Sequence, residues 1–196
     1  STVRLLFSIL ATLNILLKND GKRHYKKYMT HIPEHLKTFL QEKGRGENVF
    51  ILVTGVFDVL HNEHLLFLQK AKALGTVLIV ALESDARVRK IKGEGRPIHS
   101  GEQRADQIKA LHLADFVFIL PEEFSRREDH DALIREIRPH FLAISSHTAH
   151  QKEKRAILQK YGGDIRIVHQ RNPDVSTTQI LNTCFRTTPL IGEERK

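Results

Sequence analysis

Cysteine is almost missing from this chain. Cys184 is the single one in 196 residues, so no internal disulfide framework can staple the fold, and a reducing, cytoplasmic setting fits. Long apolar runs are scarce as well. Residues 3–17, VRLLFSILATLNILL, are the most apolar stretch, yet they fall short of the roughly 20 residues that span a bilayer, and no small-residue cleavage pattern follows them. Lys18, Lys22, Arg23, Lys26 and Lys27 come next, which leaves open membrane contact through a peripheral helix with a basic flank. A packing helix, or the remnant of a longer protein in a chain without an initiator Met, is the reading preferred here. Internal repeats and low-complexity tracts are absent too, and 40% hydrophobic residues with well-mixed charge suit one compact domain plus an extension.

What is plentiful is positive charge. The formal net charge is +8, with twelve histidines besides, and both favour polyanions. No aromatic recognition motif accompanies the charge, so phosphorylated small molecules are expected as partners and nucleic acid is not.

From Val49 onward apolar runs alternate with helical patterns, as in a doubly wound parallel sheet. Strands are expected at residues 49–53, 77–82, 116–120, 141–144 and 165–168. Helices are expected at 61–74, 101–111, 129–137 and 150–161, with ends marked by Gly75, Pro139 and Gly162-Gly163. A short amphipathic helix over 32–43, with Pro33 near its start and Gly44 after its end, precedes a linker at 44–48. The expected division is an N-terminal helical extension and linker over 1–47, an α/β Rossmann-like domain over 48–185 and a tail over 186–196.

The stretch VFILVTGVFDVLHNEHLLFL, residues 49–68, organises the rest. It reads as a buried strand, a tight turn at Thr54-Gly55 and a helix whose start carries His61 and His64. Three apart, the two histidines share a helix face beside unpaired backbone N–H groups and the positive end of the helix dipole, a favourable place for phosphate. Two plainer readings stand beside that one. Histidines on a surface helix need no ligand, and a zinc half-site lacks a Cys cluster and an obvious third ligand. Position favours phosphate, because the pair follows the first strand of a βαβ pattern, where open parallel sheets bind ligands.

TGVFDVLHNEH resembles the signature of the cytidylyltransferase-like nucleotidyltransferases, in which such a turn leads into an HxGH motif. LGTVLIVALESDARVRKIKG with Arg96-Pro97, then Glu102 and Arg104, IRPHFLAIS, Gly162-Gly163 and RNPDVSTTQIL follow in the family's order. Over about residues 48–183 the run is similar to the nucleotidyltransferase half of bacterial heptose-phosphate kinase/adenylyltransferases, and to glycerol-3-phosphate cytidylyltransferase. The resemblance implies transfer of AMP or CMP from ATP or CTP to a small phosphorylated acceptor, a sugar 1-phosphate or a polyol phosphate, with pyrophosphate released. It also implies Mg²⁺ arriving with the triphosphate, no dedicated protein metal site, and a homodimer.

Carried over position by position, the resemblance gives His61, His64, Lys92 and Arg171 as catalytic. Thr54, Gly55, Phe57, Asp58, Arg104, Ser176, Thr177 and Thr178 fall at the nucleotide, and Asp85 and Arg96 at the substrate. Each has a plain alternative: Gly55 as a turn residue with freedom for positive φ, Asp58 as a loop support or cap, and Asp85 as an N-cap. Arg104 reads alternatively as an exposed helical arginine paired with Glu102 or Asp106. Arg89, Lys90, Lys92 and Arg96 read as a basic loop after the second strand, with Gly93 and Gly95 letting it close. Ser176 to Thr178 read as a helix cap. Three positions depart from the family: Glu63 replaces the Gly of HxGH, Ser145-Ser146-His147 lacks an Asp, and Asp174 replaces a Gly. His147 and His150 are candidates to take over part of that Asp's role. These departures keep open a catalytically silent nucleotide-binding regulatory module of the same fold.

Overall fold

A computed structural model describes residues 32–170. The stretch 3–17 and the candidates Arg171, Ser176, Thr177 and Thr178 lie outside the described residues. Strands β1 (Phe50–Gly55), β2 (Val77–Leu82), β3 (Phe116–Ile119), β4 (Phe141–Ser145) and β5 (Asp164–His169) form one sheet in the order β3-β2-β1-β4-β5. Every pairing is parallel. β2 is buried along its whole length, which is why its sequence, VLIVAL, is a continuous apolar run rather than an alternation. From β1 the chain steps outward to β2 and β3, then crosses to the other side for β4. The order therefore reverses between β1 and β4, and the crevice at the carboxyl ends of those strands is the usual binding position of such sheets.

Helices cover both faces: α1 (Glu34–Lys43), α2 (Asn62–Lys72), α3 (Asp85–Lys92), α4 (Gly101–Ala110), α5 (Arg127–Ile137) and α6 (Gln151–Gln159). The two-residue period of the strands divides the core. Phe50 and Leu52 pack with Leu36, Leu133, Ile137 and Ile157, on the side of α1, α5 and α6. Ile51 and Val53 pack with Leu68, Ala71, Ala105 and Ile108, on the side of α2 and α4. α4 begins where it does because Ser100 and Gln103 form a reciprocal capping box.

Three features differ from the sequence reading. β1 runs on through Thr54 and Gly55, which pair with Ala81 and Leu82, although that dipeptide reads locally as a breaker. Residues 85–92, expected as a basic loop, are a helix. Its sequence, DARVRKIK, buries Val88 alone, so no apolar stripe announces it; Ser84 starts it by accepting from the Arg87 N–H at 3.2 Å. Lastly, α1 is no appendage, since Leu36 is fully buried in the core and Phe39 packs on Phe116 with ring centroids 4.8 Å apart. Arg45 ties the following turn to the carboxyl end of α5, donating to the carbonyls of Arg138 at 2.7 Å and Ile137 at 2.5 Å. These are favourable contacts of a guanidinium with a helix's unpaired carbonyls.

Leu36→Ala is therefore expected to cost about 2–5 kcal/mol of unfolding free energy, measured by urea denaturation. A separate extension would leave the unfolding midpoint of the sheet unchanged.

Candidate active site at the head of β1

His61 is the N-cap residue of α2, and its side chain accepts nothing from the first turn. The usual capping oxygen is missing, so the orphan donors at that helix start are left to other acceptors. His64 follows in the first turn, its ring stacked on that of His61 with centroids 3.9 Å apart. Nδ1 of each ring is enclosed without a hydrogen-bond partner among the described residues. Burial, aided by the neighbouring His61 ring, pushes His64 from its ordinary 6.5 to about 4. Burial also lowers His61, opposed by the Glu63 charge. The pair is thus neutral near pH 7, and a polyanion arriving there would draw protons onto it. The same shift bears on stability. The unfolded chain takes up the His64 proton first as pH falls, so this residue weakens the fold progressively from pH 6.5 towards 4 and adds nothing above that window.

Phe57 fixes the turn in front of the pair. It has φ +48°, is buried, and lies 5.2 Å from the His64 ring between centroids. Gly55 is needed here for space and not for a positive φ, since a Cβ at that position would stand 2.6 Å from the Phe57 ring.

Asp58 is buried and acts inward. It accepts from the N–H groups of Ile98 and His99 at 2.9 and 3.0 Å and from Arg96 Nε at 2.6 Å. Burial alone would raise its carboxyl, but these N–H groups and the Arg96 guanidinium hold it below the usual carboxylate range. Asp58 and Arg96, expected at the nucleotide and at the substrate, are thus joined to each other and clamp residues 96–99 against the turn.

Arg104 is also not presented to a ligand. It is fully buried and donates to the carbonyls of Val56 at 2.6 Å, Glu83 at 2.8 Å and His99 at 3.2 Å, and to Asp85 Oδ1 at 2.7 Å. The surface pairing with Glu102 or Asp106 does not occur; Asp106 pairs with Lys109 instead. Asp85 uses its second oxygen on the Gly101 N–H at 3.1 Å, and the cap of α3 is its neighbour Ser84. Lys92 ends α3, exposed, and no hydrogen bond among the described residues joins it to the histidines. Gly93 and Gly95 do take positive φ, +91° and +80°, in the segment leading back to Arg96.

Glu63, the departure from HxGH, turns towards the end of β5. Its Oε2 lies 2.7 Å from His169 Nε2, so the carboxylate is engaged by a histidine that sequence reasoning did not single out. Of the residues where the family's Asp is missing, Ser145 Oγ lies 3.1 Å from His147 Nδ1, and His150 lies 3.0 Å from Glu153. Glu83, His130 and Lys154, half-buried near the same sheet edge, were not among the candidates read from the sequence. The signal for Glu83 was parity: two residues past Ala81, it shares that residue's face.

The described residues offer a bare metal ion little. They contain no group of three or more His, Cys, Asp or Glu side chains with the geometry of a metal site, and Asp58, Asp85 and Glu63 are occupied by protein donors. A magnesium ion suits this site as a passenger on phosphate oxygens and not as a protein-caged ion.

Arg104→Met is expected to lower unfolding free energy by about 3–5 kcal/mol, because it strands Asp85 and three backbone carbonyls. Denaturant titration checks it; an arginine serving a ligand alone would leave stability intact and weaken nucleotide binding.

The cytidylyltransferase-like family model matches residues 52–183. "Bifunctional protein HldE" of Pelobacter propionicus is 38% identical over 128 residues, 65% of this chain and 25% of that protein. Its namesake in Campylobacter jejuni subsp. doylei is 46% identical over 90 residues, 46% of this chain and 19% of the relative. That of Syntrophotalea carbinolica is 34% identical over 163 residues, 81% and 32% of the two chains. The chain thus spans a third or less of the length of these curated relatives. Among solved structures, a lipopolysaccharide core biosynthesis protein from Thermoplasma volcanium has a TM-score of 0.51 at 23% identity, covering 64% of this chain and 97% of that one, a likeness of fold. With the sheet order, the histidine pair at the head of β1 and a family model spanning more than half its length, this chain belongs to the cytidylyltransferase-like family.

Proposed function

We propose that the chain transfers a nucleotidyl group, AMP or CMP, from ATP or CTP to a small phosphorylated acceptor. A sugar 1-phosphate is first among acceptors and a polyol phosphate second. The observation that carries this reading is the stacked, half-buried His61–His64 pair at the uncapped start of α2, placed at the head of β1 beside the strand-order reversal. An oxygen of the acceptor's phosphate attacks the α-phosphorus in line; a new P–O bond forms, the bond to the bridging α–β oxygen breaks, and pyrophosphate leaves with that electron pair. An ionised phosphate brings no proton that must be removed, so positioning and charge stabilisation dominate.

In this reading the ring nitrogens of His61 and His64, with the N–H groups opening α2, receive the phosphates. The Thr54–Phe57 turn shapes the floor, and the Asp58–Arg96 clamp holds residues 96–99 beside it. Lys92 at the end of α3, Arg171 and the Ser176, Thr177 and Thr178 hydroxyls are the further groups this reading assigns to the phosphates and the nucleotide. Mg²⁺ enters with the triphosphate. The relatives' printed name and the run of motifs support this class of reaction. Glu63 favours a second reading, a catalytically silent nucleotide-binding module, because a carboxylate in the first turn of α2 opposes a polyanion; in the structure that carboxylate is turned to His169.

Pyrophosphate release from ATP and from CTP, with Mg²⁺ and a panel of sugar and polyol phosphates, separates the readings. Acceptor-dependent release that falls about 10²-fold or more in His64→Ala is expected. No release from the parent, with activity gained in Glu63→Gly, would instead identify the silenced module.

A further inference from the structure

Glu63 stands at a demanding position. It is the second residue of α2, and the N-cap His61 leaves the first-turn N–H groups without a side-chain acceptor. A carboxylate in that turn is attracted to those donors and to the positive end of the helix dipole. Lying over them, it would act as an internal anion, competing with a phosphate for the same N–H groups and repelling it by charge. The structure sends the carboxylate elsewhere. Glu63 Oε2 lies 2.7 Å from His169 Nε2, and since a carboxylate oxygen offers lone pairs only, the imidazole nitrogen is the donor.

β5 is built to deliver that histidine. Its residues alternate between the two faces of the sheet, and Ile165 packs on the side of α5 and α6. Strict alternation would put His169 on that side as well, away from α2. A bulge intervenes. Ile144 pairs with Ile167 but Ser145 pairs with His169, which leaves Val168 as the extra residue. Val168 packs with the core on the α2 side, and His169, past the irregularity, turns to the same side and meets Glu63. The Ser146 N–H holds this strand end by donating to the His169 carbonyl at 2.9 Å. Bulges often re-aim a side chain beside a binding site; here the re-aimed side chain ends on the first turn of α2. The contact is no loose surface pair of the kind that contributes little, because the Glu63 and His169 side chains are only 23% and 12% exposed.

We infer that His169 is a positioning residue for the nucleotide: by hydrogen-bonding Glu63 it keeps a carboxylate off the first-turn N–H groups of α2 and leaves them to the phosphates. The inference rests on the reading of that helix start as the phosphate site. Glu63 and His169 then act as one unit, in which the carboxylate is tolerated only while the histidine holds it. Glu63 by itself is no mark of a silenced site.

The test is titration calorimetry of ATP and CTP, each with Mg²⁺, on the full chain and on His169→Ala, His169→Gln, Glu63→Gly and the double variant Glu63→Gly with His169→Ala. A melting curve accompanies each. His169→Ala should weaken the tighter-bound triphosphate about tenfold or more, the scale of like charge set against like. His169→Gln, whose amide N–H replaces the Nε2 donor, should return affinity to within about threefold of the parent. Once Glu63→Gly is in place, removing His169 should change affinity by less than about twofold, since the two residues act through each other. Parent-like binding by His169→Ala, no recovery in His169→Gln, or a loss that persists in the Glu63→Gly background overturns the inference. Should His169→Ala not fold, Glu63→Asp carries the test: its shorter side chain keeps the charge but falls short of His169, so it should weaken binding to a similar degree, and parent-like binding overturns the inference. A parent that binds neither triphosphate overturns the inference and the transfer reading together. A pair that behaves as expected in a protein that releases no pyrophosphate with any phosphorylated acceptor sinks the transfer reading alone.

Discussion

A guanidinium wholly removed from water has five N–H groups to satisfy and a charge to balance, and Arg104 meets both needs by drawing four separate segments to one point. The turn after β1 gives the Val56 carbonyl, the end of β2 gives that of Glu83, the segment before α4 gives that of His99, and α3 gives the Asp85 carboxylate. None of these acceptors is adjacent to Arg104 on its own helix. Once they are in place, however, the carboxyl ends of β1 and β2 and the start of α3 cannot drift apart without stranding a buried charge. Asp58 repeats the device with the sign reversed: a buried carboxylate gathers two backbone N–H groups and Arg96. Together they make a rigid rim around the turn that fronts the histidines.

Against that rim the histidine pair is held back from its charged form. Burial lowers both rings, and the His61 ring adds to the effect on His64, while the uncapped helix start and the chain's net +8 charge keep the local field favourable to anions. A site built this way gains most when a polyanion arrives, because binding and proton uptake then reinforce each other. Glu63 fits the same logic. Its carboxylate points to His169 at the end of β5, so the residue that looks most damaging in the motif is engaged by a partner more than a hundred residues away in the chain.

Periodicity carried the fold. β2 was legible to the residue, because a fully covered parallel strand must be apolar throughout, and the helices after β1 and β3 were legible from their stripes and stops. α3 was hidden because it buries one side chain, and α1 was assigned to an extension because nothing local says that Leu36 finds Phe50 and Leu52. In the site, the histidine pair and its helix were readable from spacing. Arg104 and Asp58 stood out in the motif, Asp58 with loop support as one reading, but their protein partners come from segments up to 48 residues distant, which a linear motif does not encode. Glu83 was readable in principle from strand parity, but Lys154 and His130 needed the helices to be folded over it.

The most direct test of the account is a pH titration of the His64 ring by nitrogen-resolved NMR, first in the free protein and then with a non-hydrolysable nucleoside triphosphate. The account predicts a midpoint near 4 in the free protein, with His64 neutral above it, and a clear upward shift when the triphosphate binds. A free midpoint near the ordinary 6.5, or a ring that does not respond while nucleotide binds, would contradict it.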